Sequence, residues 1–129
     1  MIRVYPASKV KHAQKWIDLQ ESESYLFFHA RWLKASKKES DFDNGAFSEL
    51  WRMCQEDVQS ADVVLVYAEE GDHLKGAFVE AGMALALDKK VLAVGCQGTW
   101  VHHKNVRRFD TLEQALEDIR NDNWMSSEL

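Results

Sequence analysis

Ala61-Asp62-Val63-Val64-Leu65-Val66-Tyr67-Ala68 is the stretch on which the fold turns. From Val63 to Ala68 the run is apolar without interruption and rich in β-branched residues, with polar residues on either side. A strand with one wet face alternates; an unbroken run suits a parallel strand covered on both faces. Working outward, 91–95 repeats the pattern, 2–7 forms a shorter strand closed near Pro6, and 25–30 and 106–109 read as further strands. Between them lie helical patterns at 9–20, with Ser8 as its cap, and at 46–60, 74–87 and 111–121, the last opened by a capping box of Thr111 and Gln114. Lys89 and Lys90 fall where a helix C-terminus favours cations. Strands alternating with helices predict one α/β domain, doubly wound in the Rossmann-like or flavodoxin-like manner: a parallel sheet of about five strands with helices on both faces.

Composition narrows the classes of function. A chain of 129 residues suits one domain. With 46% hydrophobic and 29% charged residues it reads as a globular protein, neither disordered nor membrane-spanning, and no secretory leader is expected. Cys54 and Cys96 are far apart and outside any ligand spacing, so both are expected to be reduced and structural, in the cytoplasm. A net charge of −5 and the lack of a sustained basic stripe argue against a nucleic-acid polymer as partner. No membrane partner is expected either.

In such sheets ligands bind beyond the carboxyl ends of the strands, where the strand order reverses. That rule nominates 6–9, 31–45, 69–75 and 95–103, with 36–45 as a candidate lid. One residue stands out beside them. From Gly76 to Leu87 the sequence is Gly-Ala-Phe-Val-Glu-Ala-Gly-Met-Ala-Leu-Ala-Leu, and Glu80 is its only polar side chain. A helix apolar all round is expected to be covered on its outer side too, by another helix or a second subunit, which predicts a homodimer or higher homo-oligomer. Glu80 would then sit in a water-poor place, where an ionised carboxylate is costly unless it has partners or a task. Gly76, Gly82 and Ala84 leave room around it. The alternative is that Glu80 faces solvent and the glycines only permit close packing.

Ala61-Asp62-Val63-Val64-Leu65-Val66 followed by Gly76, Glu80, Gly82 and Ala84 in the pattern G-x-x-x-E-x-G-x-A resembles the nucleoside 2-deoxyribosyltransferase family and its relatives, the deoxynucleoside 5′-monophosphate N-glycosidases. The likeness runs on through Lys89-Lys90-Val91-Leu92-Ala93-Val94 and covers about the central third of the chain. It implies that Glu80 is a nucleophile that attacks the anomeric carbon of a ribosyl or deoxyribosyl group and expels the base. Asp72, or else Glu69 or Glu70, would be the second acidic group, as in a retaining glycosidase. Tyr5, Ser8, Asp62 and Gly76 fall in the matching segments as substrate-binding candidates. Three departures are visible. Tyr5-Pro6-Ala7-Ser8 stands where the family has a glycine-containing turn, Leu74-Lys75 where the monophosphate hydrolases have a phosphate-binding serine, and Asp57 is off the usual spacing of the sugar-holding aspartate.

Other candidates come from placement alone. Trp100 and His102 follow a strand end, where an indole can stack on a base and an imidazole can carry a proton; the alternative is an ordinary surface loop. Arg31 could meet an anionic group and Trp32 a base, or Trp32 could simply cover the sheet edge. His102-His103 without a third ligand is no zinc spacing, so neither metal nor cofactor is expected. The expected function is cleavage or transfer at the N-glycosidic bond of a nucleoside or nucleotide. The alternatives are a non-catalytic nucleotide sensor or sequestering protein and a purely structural oligomer.

Overall fold

The computed structural model describes residues 1–34 and 44–121. Five strands form a single sheet: β1 (Ile2–Ala7), β2 (Leu26–Phe28), β3 (Val63–Tyr67), β4 (Lys90–Val94) and β5 (Val106–Phe109). Every pairing is parallel and the spatial order is β2-β1-β3-β4-β5. The helices are α1 (Ala13–Ser22), α2 (Asn44–Ser60), α3 (Gly76–Ala86) and α4 (Leu112–Arg120). The architecture is therefore α/β with a five-stranded parallel sheet, of the Rossmann or flavodoxin-like kind. The order of strands reverses between β1 and β3, which places the ligand crevice of such folds beyond their carboxyl ends.

Register shows which helices cover which face. Tyr5 pairs with Val64, so both point to one side, while Tyr67, three residues on, points to the other. Tyr5 meets Glu80 of α3, whereas the Tyr67 ring stands edge-on to Trp16 of α1, 5.5 Å between centroids. Thus α3 and α1 lie on opposite faces, α2 packs beside α3, and Arg120 of α4 bridges to Glu23 at the end of α1. All five residues of β3 are buried, as its unbroken apolar run requires. No helix among the described residues is long and apolar enough to cross a membrane.

Several boundaries differ from the sequence expectation for physical reasons. The first helix opens with a 3-10 turn, Val10–His12, before α1. Ser8 does not cap it, because its hydroxyl accepts the Trp16 indole N–H at 3.0 Å and donates to the Lys9 carbonyl at 3.1 Å. The second strand shortens to three residues at the sheet edge. Lys89 closes the end of α3 with its amide, which donates to the Ala84 carbonyl at 2.9 Å, while its ammonium donates to the Ala61 carbonyl at 2.8 Å and ties the start of β4 to that of β3. Both halves of the capping box at Thr111 and Gln114 are present. Asn44 and Gly45 belong to α2, and the rest of the expected lid, 36–43, lies outside the described residues, as does the tail from 122.

Candidate active site

The site begins with the loop that follows β3. It returns the chain to the carboxyl edge of the sheet, α3 starts there at Gly76, and Glu80 lies four residues, about one turn, further in. Ala77, Glu80, Ala81 and Ala84 form the buried stripe of α3, so an acidic residue occupies a position at helical spacing for the core. The Glu80 carboxylate and the Tyr5 hydroxyl are hydrogen-bonded to each other, with Glu80 7% exposed and Tyr5 fully buried. Burial pushes the Glu80 carboxyl up to about 8, so near neutrality the group holds its proton and gives it up at mildly alkaline pH.

Aromatic rings lie near the first turn of α3 and the end of β1. A Cβ on Gly76 would stand 3.6 Å from the Trp51 ring, so the indole of Trp51 lies against the first turn of α3. Phe78 stands edge-on to Trp100, 5.7 Å between centroids. The buried Trp32 indole donates to the Pro6 carbonyl at 3.0 Å, at the end of β1.

Asp72 is held elsewhere. Its carboxylate lies 2.8 Å from His12 Nε2 and 2.8 Å from Lys11 Nζ, and it accepts the Glu69 amide at 2.9 Å. The lysine contact is an ion pair of close approach and not a well-directed hydrogen bond. Lys11, the Glu69 amide and His12 together hold the Asp72 carboxyl well below the usual carboxylate range. No hydrogen bond or ion pair joins Asp72 to Glu80. Asp72 belongs to a second polar group at the β1 and β3 ends that also contains Glu69 and Tyr67, which are hydrogen-bonded to each other. His12, buried at 7% exposure and edge-on to Tyr67, is the functional candidate that sequence reading missed. The signal was its place just past the first strand; its one-turn disguise as a helix residue hid it.

The remaining candidates fall into two sets. Arg31 is engaged internally: its Nε donates to Asp57 at 3.0 Å and its Nη2 to Glu56 at 2.8 Å, while its own amide also donates to Asp57. Asp57, 2% exposed, is consumed in the same arrangement, with His29 3.5 Å away. Asp62 precedes β3 at the amino edge of the sheet, where it accepts the Arg3 amide at 2.8 Å. It locks β1 to β3 at the end opposite the crevice. Ser8 and Gly76 lie at the carboxyl side, Ser8 bound to Trp16 as described. Trp100 donates to the Gln97 carbonyl at 3.1 Å, and His102 is exposed at the end of the 3-10 turn Thr99–His102. The structure thus brings Tyr5, Glu80 and Gly76 together, sets Trp100 beside α3 through Phe78, and separates Asp62 from them.

A cavity of about 750 Å3 opens beyond β4 and β5, lined by Gly95, Cys96, Gln97, Arg108, Asp110 and Gln114 among others, and Glu80 is not in its wall. Burial pushes both thiols up, Cys54 and Cys96 each to about 11, so neither is a ready nucleophile. Among the described residues no group of three or more His, Cys, Asp or Glu is placed to hold a metal ion. No family model matches the chain, and neither a curated protein nor a solved structure is significantly similar to it.

Proposed function

We propose that the chain cleaves, or transfers across, the N-glycosidic bond of a small nucleoside or nucleoside monophosphate, with Glu80 as nucleophile. The observation that carries this reading is the buried Glu80–Tyr5 pair on the first turns of α3, at the side of the sheet where α/β folds take their ligands. In the reactive form Glu80 is ionised and Tyr5 donates to it. The carboxylate attacks the anomeric carbon as the carbon–nitrogen bond breaks; the base leaves with the bonding electron pair and takes a proton from water. Water, or a second base, then attacks the same carbon and frees Glu80. Tyr5 holds the carboxylate in one orientation, and Trp51 and Trp100 offer faces to the base. Asp72 is unsuited to the acid role assigned from sequence, since a carboxyl held ionised by Lys11 and His12 has no proton to give near neutrality. It positions His12 instead.

A second reading, a nucleotide-binding or sequestering protein without turnover, is favoured by one observation: free Glu80 is largely protonated near neutrality and therefore a poor nucleophile there. One experiment separates the two. The protein is incubated with a panel of nucleosides, deoxynucleosides and their monophosphates, free base is measured by chromatography, and the panel is repeated with Glu80→Gln. Base release that disappears in the variant supports the enzyme. A raised melting temperature with ligand and no base release supports the binder. If neither base release nor stabilisation occurs with any member of the panel, the nucleoside reading fails.

A further inference from the structure

The cavity beyond β4 and β5 is lined by polar groups that the fold leaves unmatched. Along β5, neighbouring residues face opposite sides of the sheet. Arg107 turns toward α4 and pairs with Asp118 at 2.9 Å. Arg108 lines the cavity instead, and it makes no ion pair or side-chain hydrogen bond with a described residue. Arg31, Arg52 and Arg120 are each matched to carboxylates, so a guanidinium left unmatched in a concave wall stands apart from them. Two residues on, Asp110 lines the same cavity, and its carboxylate likewise meets no cation among the described residues. One free charge of each sign therefore faces one space, and the two are not paired with each other.

The rest of the wall is fixed by bonds that spare its donors. Gln114 Oε1 accepts the amides of Asp110 and Thr111 at 3.1 and 3.2 Å, which leaves Nε2 free to donate. The Gln97 carbonyl accepts the Trp100 indole N–H at 3.1 Å, while the Gln97 side-chain amide has no partner among the described residues. The Cys96 thiol donates to the Val94 carbonyl at 3.5 Å, and Gly95 stands so close to the Ala68 carbonyl that no Cβ fits between them. Groups held in place before a ligand arrives lose less freedom when it binds.

We propose that this cavity binds a small zwitterion of the α-amino-acid kind, with its carboxylate on Arg108 and its ammonium on Asp110. The planar guanidinium fork matches a carboxylate through two parallel hydrogen bonds. Inorganic phosphate would satisfy Arg108 but set like charge against Asp110, and a simple amine would do the reverse. A molecule that carries both signs meets both groups. Gln97 and Gln114 add neutral donors, and the buried Ala93 with the half-buried Phe109 gives the ligand's side chain an apolar floor. The volume of about 750 Å3 lies within the range of small-molecule sites, roughly 300–1,000 Å3, so a bulky side chain has room. Because Glu80 is not in this wall, the inference does not depend on its chemistry.

Isothermal titration calorimetry of the full chain with the common α-amino acids, each up to about 10 mM, tests the site. Inorganic phosphate and the des-amino analogue of each amino acid that binds are titrated beside them, against the parent, Arg108→Gln and Asp110→Asn. Both substituted positions are exposed, and circular dichroism verifies that each variant folds. The site is supported if an amino acid binds the parent, each variant weakens it about tenfold or more, and loss of the ammonium weakens binding to the parent but not to Asp110→Asn. It is overturned if no amino acid binds, if both folded variants bind as the parent does, or if phosphate takes the Arg108-dependent site more tightly than any amino acid.

Discussion

At the scale of the residue, Glu80 sets a conflict between stability and chemistry. Its carboxyl titrates near 8 in the fold and near 4.5 when solvated, so between those values the folded chain holds a proton that the unfolded chain has lost. Stability from this group therefore falls as pH rises from about 4.5 to about 8 and is level above. Glu80→Gln keeps a hydrogen-bonding partner for Tyr5 and removes the titration. It is expected to be more stable than the parent at pH 8, by up to a few kcal/mol, with no advantage below pH 4.5; urea melts at several pH values check this. If Glu80 reacts as the carboxylate, kcat/KM rises with pH through about 8 and then levels. A fall through the same value would assign it the role of acid. Tyr5→Phe leaves a buried carboxyl unpartnered, which is expected to cost about 1–3 kcal/mol and to move the rate profile to higher pH.

At the scale of the element, α4 and the turn after β4 show which local chemistry the fold relies on. Thr111 accepts the Gln114 amide while Gln114 reaches back to the amides of Asp110 and Thr111. Thr111→Ala removes the first of these and is expected to lower stability by about 1 kcal/mol, read by denaturant midpoint. Gly95, at φ +71, is stricter: a Cβ there would collide with the Ala68 carbonyl, so the ends of β3 and β4 approach only over a glycine. Gly95→Ala is expected to cost more than the cap does, at least about 1–3 kcal/mol, by the same measurement. The contrast with Gly82 is instructive. Gly82→Ala is expected to raise stability by up to about 1 kcal/mol, because a Cβ there meets no atom of the described residues within 4 Å.

At the scale of the whole molecule, the two polar groups at the carboxyl edge pull stability in opposite directions with pH. Asp72 is held ionised, so its contribution is complete above the ordinary aspartate range, near 4, and is lost as pH falls below that toward its depressed folded value. Glu80 contributes most at low pH and less toward 8. Together they predict a melting temperature that peaks in acid solution, at about pH 4. Asp72→Asn is expected to flatten the acid limb alone and Glu80→Gln the neutral limb alone. A scan of melting temperature against pH for the three proteins checks the assignment.

The unbroken run at Val63, the alternation of strands and helices and the isolated acid in α3 were determined by the sequence, since periodicity and the cost of burying charge are local properties of the chain. They were enough to identify a parallel α/β sheet and to single out Glu80. Which polar groups meet was decided only by tertiary structure. Tyr5 reaches Glu80 across 75 positions, and Asp72 is claimed by Lys11 and His12, which precede it by a whole αβαβ passage. Arg31 is neutralised by Asp57 and Glu56, and Asp62 sits at the amino edge of the sheet. Strand order and register settle such partnerships, and both arise from contacts between distant segments that no local pattern encodes.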